Sequence, residues 1–195
     1  MIYGIVLAAG WGRRMGSPKA LIFLGGETFC ARACRACRDA ALETIVVVNE
    51  TVDLSLGEPG FGERRIVSVD PDQGSGMFGS VRLGVSEALR AGAVGAILFP
   101  VDHPLVTSQD VGSVAASIRS GAKIAVATHG GRRGHPIGID RAVMEEILSD
   151  QAANTLKDIV RRDPSRVREV PVSAGAILGV NTREDLERAS NAAFR

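Results

Sequence analysis

The chain has 195 residues, 45% of them hydrophobic, with 23 basic and 22 acidic side chains, so it has the length for a sizeable core and a net charge of +1. That balance excludes a general nucleic-acid binder, and no apolar run approaches the ~20 residues of a membrane span. The cytoplasm is therefore the expected compartment, with neither nucleic acid nor a membrane as partner.

The first apolar run, residues 2–8 (IYGIVLA), reads as a strand rather than a signal peptide, because a glycine-rich, cationic stretch (AGWGRRMGSPK) follows at once. A helix is predicted over 28–41. It carries Cys30, Cys34 and Cys37 on one face, as small packing residues rather than a metal site or disulfide framework. Strands are predicted at 44–49 and 65–69, with 53–65 a surface loop. Next come a helix over 79–91, a strand over 95–101, a helix over 108–119 and a strand over 123–128. HPIGI (135–139) and GAILGV (175–180) read as shorter strands, and further helices are predicted over 140–149, 154–162 and 183–192. The strands are apolar on both faces and alternate with helices. That predicts an α/β fold, a three-layer α/β/α arrangement around a mostly parallel mixed sheet, with residues 1–195 as one domain.

Ligands of such sheets bind beyond the carboxyl ends of the strands. Five segments there are polar or glycine-rich: AAGWGRRMGSPK, DPDQGSGMFGS, PVDHPLV, HGGRRGHP and GVNTRED. In the first, Gly10, Gly12 and Gly16 give backbone freedom near an anion, and Arg13, Arg14 and Lys19 give charge. It is neither a Walker A loop nor a dinucleotide fingerprint, since the lysine and the third glycine fall at other offsets. Asp102, between Pro100 and Pro104, reads as an oxygen ligand for Mg²⁺, or else as a helix cap. Ser75 and Ser80 flank a helix start that either binds nucleotide or is simply capped. His135, after Arg132 and Arg133, marks an acceptor-phosphate pocket or a solvated hairpin tip. Arg82 is either a surface residue or turned back to the site.

Residues Leu7, Ala8, Ala9, Gly10, Gly12, Arg14, Met15, Gly16 and Lys19 reproduce LAAG-x-G-x-RMG-x-x-K. With GSGMFGSVRLGV (74–85), PVDHP (100–104), GHPIGI (134–139) and VNTREDLERA (180–189), this resembles the MobA-like NTP transferases, most of all their molybdenum cofactor cytidylyltransferase branch. The resemblance implies a Rossmann-like nucleotidyltransferase that joins CMP from CTP to molybdopterin, releases pyrophosphate and requires Mg²⁺. It implies Arg14, Lys19 and Asp102 as catalytic residues. The nucleotide would be held by Leu7, Ala8, Ala9, Gly10, Gly12, Lys19, Gln73, Ser75, Gly76, Met77 and Ser80, and the acceptor by His135 and Arg82. Asp102 and Asn181 would ligate the metal, with Asn181 standing where the family usually has aspartate. Guanylyl-transferring relatives have glycine at the position of Ala9, so CTP is expected over GTP. A phosphate nucleophile needs no general base, which suits a site of cations and amides. Two alternatives stand beside this reading: another phosphorylated acceptor, such as a sugar phosphate or methylerythritol phosphate, or a non-catalytic nucleotide-binding module. A molybdoenzyme is the partner that the resemblance implies.

Overall fold

The computed structural model describes residues 1–12, 15–56, 63–67 and 76–193. In chain order its elements are β1 (Ile2–Leu7), β2 (Phe23–Leu24), β3 (Glu27–Thr28), α1 (Phe29–Asp39), β4 (Glu43–Val48), α2 (Glu50–Leu56), β5 (Glu63–Val67) and α3 (Gly76–Arg90). There follow β6 (Gly95–Pro100), α4 (Ser108–Arg119), β7 (Ile124–His129), β8 (Arg132–Asp140), α5 (Arg141–Ser149), α6 (Leu156–Arg162), β9 (Val167–Pro171) and α7 (Arg183–Ala193). Seven strands form one sheet in the order β5-β4-β1-β6-β8-β7-β9. β8 alone runs against its neighbours. The expected mixed, mostly parallel sheet is therefore present.

Two buried clusters, one on each sheet face, make the layers. Residues of α1 and α4 pack on one face and residues of α3, α5 and α6 on the other. β1 and β6 are buried throughout, as all-apolar central strands should be. The three cysteines are buried on the inner face of α1 and form no disulfide. A side chain at Gly4 would meet the Cys37 sulfur at 2.7 Å, so the small residues let α1 approach β1 closely. Among the described residues no helix is long and apolar enough to cross a membrane.

Two sequence expectations fail and one strand of the sheet is not anticipated. GAILGV is not a strand: Ala174–Ile177 forms a 3₁₀ turn, with Gly175 so close to Leu105 that a Cβ would lie 2.9 Å from the Leu105 Cβ. The 53–65 loop contains most of α2 and the start of β5, while 57–62 lies outside the described residues. β9 escapes notice because VREVP carries two charges in five residues and, among the described residues, pairs only with β7 at the sheet edge.

Candidate active site

The carboxyl ends of β1 and β6 meet the N-terminus of α3 around a cleft of about 330 Å³. Leu7, Ala9, Gly10, Gly12, Lys19, Gly76, Met77, Ser80 and Asp102 line it, as does Trp11, which sequence reasoning passed over. The indole of Trp11 is 42% exposed, an unusual placement for a large aromatic group and a signal that exists only in three dimensions. Ala8 is a correction. It has no exposure, and its N–H donates to the Val47 carbonyl at 2.8 Å, so it belongs to the core. Arg14, Gln73 and Ser75 lie outside the described residues.

The loop after β1 owes its shape to two glycines. Gly12 has φ +59°, and a Cβ there would stand 2.0 Å from the Ser17 carbonyl oxygen. Gly16 has φ +74°. Gly10, by contrast, has no positive φ, and a Cβ on it would meet nothing within 4 Å. Its service is an open approach to the backbone rather than a special conformation. Asn49 holds the loop from beneath. Its buried amide donates to the Ala9 carbonyl at 2.9 Å while its Oδ1 accepts from Val52 N–H at 2.8 Å and caps α2.

At the floor, the Lys19 ammonium donates to Asp102 Oδ2 at 3.0 Å and to Asn181 Oδ1 at 2.7 Å. Residues far apart in sequence converge because Val180 N–H donates to the Asp102 carbonyl at 2.7 Å, laying the chain before α7 across the end of β6. Neither Asp102 nor Asn181 is spent as a helix cap. Thr107 and Asp110 form a reciprocal capping box for α4. Thr182 Oγ1 accepts from Asp185 N–H, and Asp185 Oδ2 accepts from the N–H groups of Asn181 and Thr182, at the start of α7. Both side-chain oxygens therefore face one cation. Asp110 further accepts from Ser173 N–H and Oγ, tying the chain after β9 to α4. Burial opposes its ionisation, yet the bonds from Ser173 and Thr107 hold its carboxyl below the ordinary aspartate range.

A second cavity, of about 260 Å³, adjoins the cleft through Leu7, Gly76, Met77 and Pro100. Phe78, Val81, Leu98, His135, Asn154, Thr155 and Leu156 complete it. The antiparallel course of β8 delivers His135 to this edge. The register pairs Leu98 with Ile137, so His135 lies beside the end of β6. Its ring stands edge-on to His103 at 4.7 Å between centroids, and its Nδ1 is buried with no hydrogen-bond partner among the described residues. Burial first, then the neighbouring His103, pushes His135 down to about 3, so the ring is neutral at physiological pH. His103 is also pushed down by burial, while Asp102 and the Ala176 carbonyl work the other way.

The expected cationic acceptor-phosphate pocket is not assembled here. Arg133 pairs with exposed Glu169 at 2.9 Å, and Arg132 sits beside the Gly130–Gly131 hairpin turn. Arg82 is a further correction: its guanidinium bonds the carbonyls of Asp150 and Ala153 and lies over the Phe78 ring, and it lines neither cavity. It braces the cavity wall through Phe78 and the segment before α6.

Residues 4–168 match the family model described as the MobA-like NTP transferase domain. A probable molybdenum cofactor guanylyltransferase of Opitutus terrae is 34% identical over 65% of this chain, which spans 59% of that relative. A molybdenum cofactor guanylyltransferase of Rhizobium meliloti is 28% identical over 95% of this chain and 88% of its own length. Among solved structures, Rv0371c of Mycobacterium tuberculosis superposes with a TM-score of 0.82 over 98% of both chains at 24% identity, which speaks to the fold. That protein has also been solved in complex with manganese.

Proposed function

Since the chain belongs to the MobA-like NTP transferase family, we propose that it transfers a nucleoside monophosphate from a triphosphate to molybdopterin, assisted by a divalent metal. The observation that carries this reading is the convergence of Lys19, Asp102 and Asn181 at the floor of a glycine-walled cleft. A phosphate oxygen of the acceptor attacks the α-phosphorus. The new P–O bond forms as the α–β anhydride bond breaks, and pyrophosphate leaves. Lys19 supplies positive charge to the transferring phosphate, and Arg14 is assigned the same work. The loop amides orient the triphosphate.

Asp102 and Asn181 suit a hard cation that prefers oxygen and keeps several waters, as Mg²⁺ does. Among the described residues no cluster of three or more His, Cys, Asp or Glu residues offers a complete metal cage, so phosphate oxygens would complete the shell. Such a metal would screen the phosphates and polarise the reacting centre. The Lys19 ammonium bonds one oxygen of each candidate ligand, so a metal held there would compete with it, and a triphosphate would draw the lysine away.

For the base, Ala9 at the cleft wall supports CMP, since alanine there leaves less room for a purine than the glycine of guanylyl-transferring relatives. The printed names of the relatives favour GMP as the second reading. Pyrophosphate release from CTP and GTP, each with molybdopterin as acceptor, decides between them. CTP is expected to win by about tenfold or more, and Ala9→Gly to narrow that preference. Equal or faster turnover with GTP rejects the cytidylyl assignment. Nucleotide binding without turnover on any phosphorylated acceptor rejects the enzyme itself.

A further inference from the structure

We infer that His103 is a third protein ligand of the divalent cation, offering its Nε2 beside Asp102 and Asn181 and turning the site toward Mn²⁺ over Mg²⁺; this rests on the reading above that Asp102 and Asn181 hold that cation. The His103 side chain keeps 13% of its surface exposed, so a small ion can reach it.

Three observations support the assignment. His103 Nδ1 lies 3.1 Å from the Ala176 carbonyl oxygen. A carbonyl only accepts, so in the neutral ring the proton sits on Nδ1 and the free lone pair on Nε2. One ring nitrogen donating to a backbone carbonyl, with the other left open, is the arrangement that orients metal-binding histidines. The ring is fixed before any ion arrives, by that bond and by His135, which stands edge-on to it at 4.7 Å. Next, Nε2 stands 4.0 Å from Asp102 Oδ1, whereas Lys19 occupies Oδ2. Two acceptor atoms thus face each other, and they repel until a cation stands between them. Two ligands of one divalent ion, each ~2.1 Å from it, are ~3 to ~4.2 Å apart, and the observed spacing falls in that range. Last, a Cβ on Gly179 would lie 3.5 Å from both Nε2 and the Asn181 amide nitrogen. Glycine there keeps clear the ground between imidazole and amide.

Oxygen donors alone suit Mg²⁺, whereas an imidazole nitrogen favours first-row transition ions. Mn²⁺ accepts carboxylate and water as Mg²⁺ does, and it takes nitrogen more readily.

The test uses the full chain saturated with CTP and loaded with Mn²⁺, read by pulsed electron paramagnetic resonance. Coupling to ³¹P reports nucleotide on the metal, and coupling to imidazole ¹⁴N reports histidine. The wild-type chain should show both, and growth on ¹⁵N-histidine should convert the nitrogen signal without any substitution. His103→Asn keeps a donor for the Ala176 carbonyl and removes Nε2. It should erase the imidazole coupling and weaken Mn²⁺ binding by about tenfold. His103→Gln places an amide where Nε2 was. It should erase the coupling too, which keeps the assignment testable if His103→Asn misfolds, and should narrow the preference for Mn²⁺ over Mg²⁺ in competition titrations. Mn²⁺ bound more tightly than by CTP alone, but without histidine nitrogen, overturns the inference and leaves the metal reading standing. An imidazole coupling that survives in either variant overturns it as well. If the wild-type chain holds Mn²⁺ no more tightly than CTP alone does, the metal reading falls and the inference falls with it.

Discussion

The cleft and the cavity beside it share Leu7, Gly76, Met77 and Pro100, yet they differ in kind. The cleft floor is ionic, with one ammonium between a carboxylate and an amide oxygen. The cavity is neutral, with a histidine that burial keeps uncharged. The cause is topological. The cleft is built from parallel strand ends, where loops carry glycine and charge. The cavity is closed by the start of the antiparallel β8, whose residues are already becoming core. One sheet edge thus offers two environments side by side, one ionic and one neutral.

The sharpest way to break this contrast is to empty the ionic side. Asp102→Ala should cut metal-dependent turnover by about 10³-fold or more, since it removes the only carboxylate among the described cleft residues. Full Mg²⁺-dependent activity in a folded variant would reject the metal assignment. Lys19→Ala should lower turnover by about 10²-fold. Yet without nucleotide it should bind Mn²⁺ more tightly than the wild type, measured by electron paramagnetic resonance, because the competing ammonium is gone. Weaker or equal Mn²⁺ binding would show that lysine and metal do not share the two oxygens.

The neutral side is probed by pH. His135 has a folded pKa far below its unfolded value, so between about pH 6.5 and 3 the unfolded chain binds the extra proton. Its contribution to stability therefore falls as pH drops through that window, by up to ~1.4 kcal/mol per unit. Denaturant titrations of His135→Phe across the window should show a shallower loss than the wild type. Parallel pH profiles would mean the histidine is not held neutral. The smallest effect is expected from Asn181→Asp, a few-fold decrease in the metal concentration needed for half-maximal rate. An unmoved metal titration would leave Asn181 as a partner of Lys19 alone.

Much of this was legible in the sequence, and what was not has physical reasons. Strands apolar on both faces announced the covered sheet, and the glycines and cations after β1 announced the cleft. The pairing of Asp102 with Asn181 followed only from resemblance; its cause, one backbone hydrogen bond from Val180, leaves no mark in composition. The buried work of Asn49 under Ala9 is invisible to periodicity. GAILGV has strand-like content, but close approach to Leu105 folds it into a turn. The arginines before His135 suggested either a phosphate pocket or a solvated hairpin tip, and the hairpin is what forms. The hairpin sends Arg133 to Glu169 while His135 turns into the core.

The bond from Val180 to the Asp102 carbonyl has one more consequence. Asp102 and Asn181 lie 79 residues apart in the chain. The floor of the cleft is therefore assembled from two distant segments, clasped by a backbone contact that is indifferent to side-chain identity. Over evolutionary time such a clasp lets the residue at 181 change, and the cation's grip with it, while the nucleotide loop stays as it was.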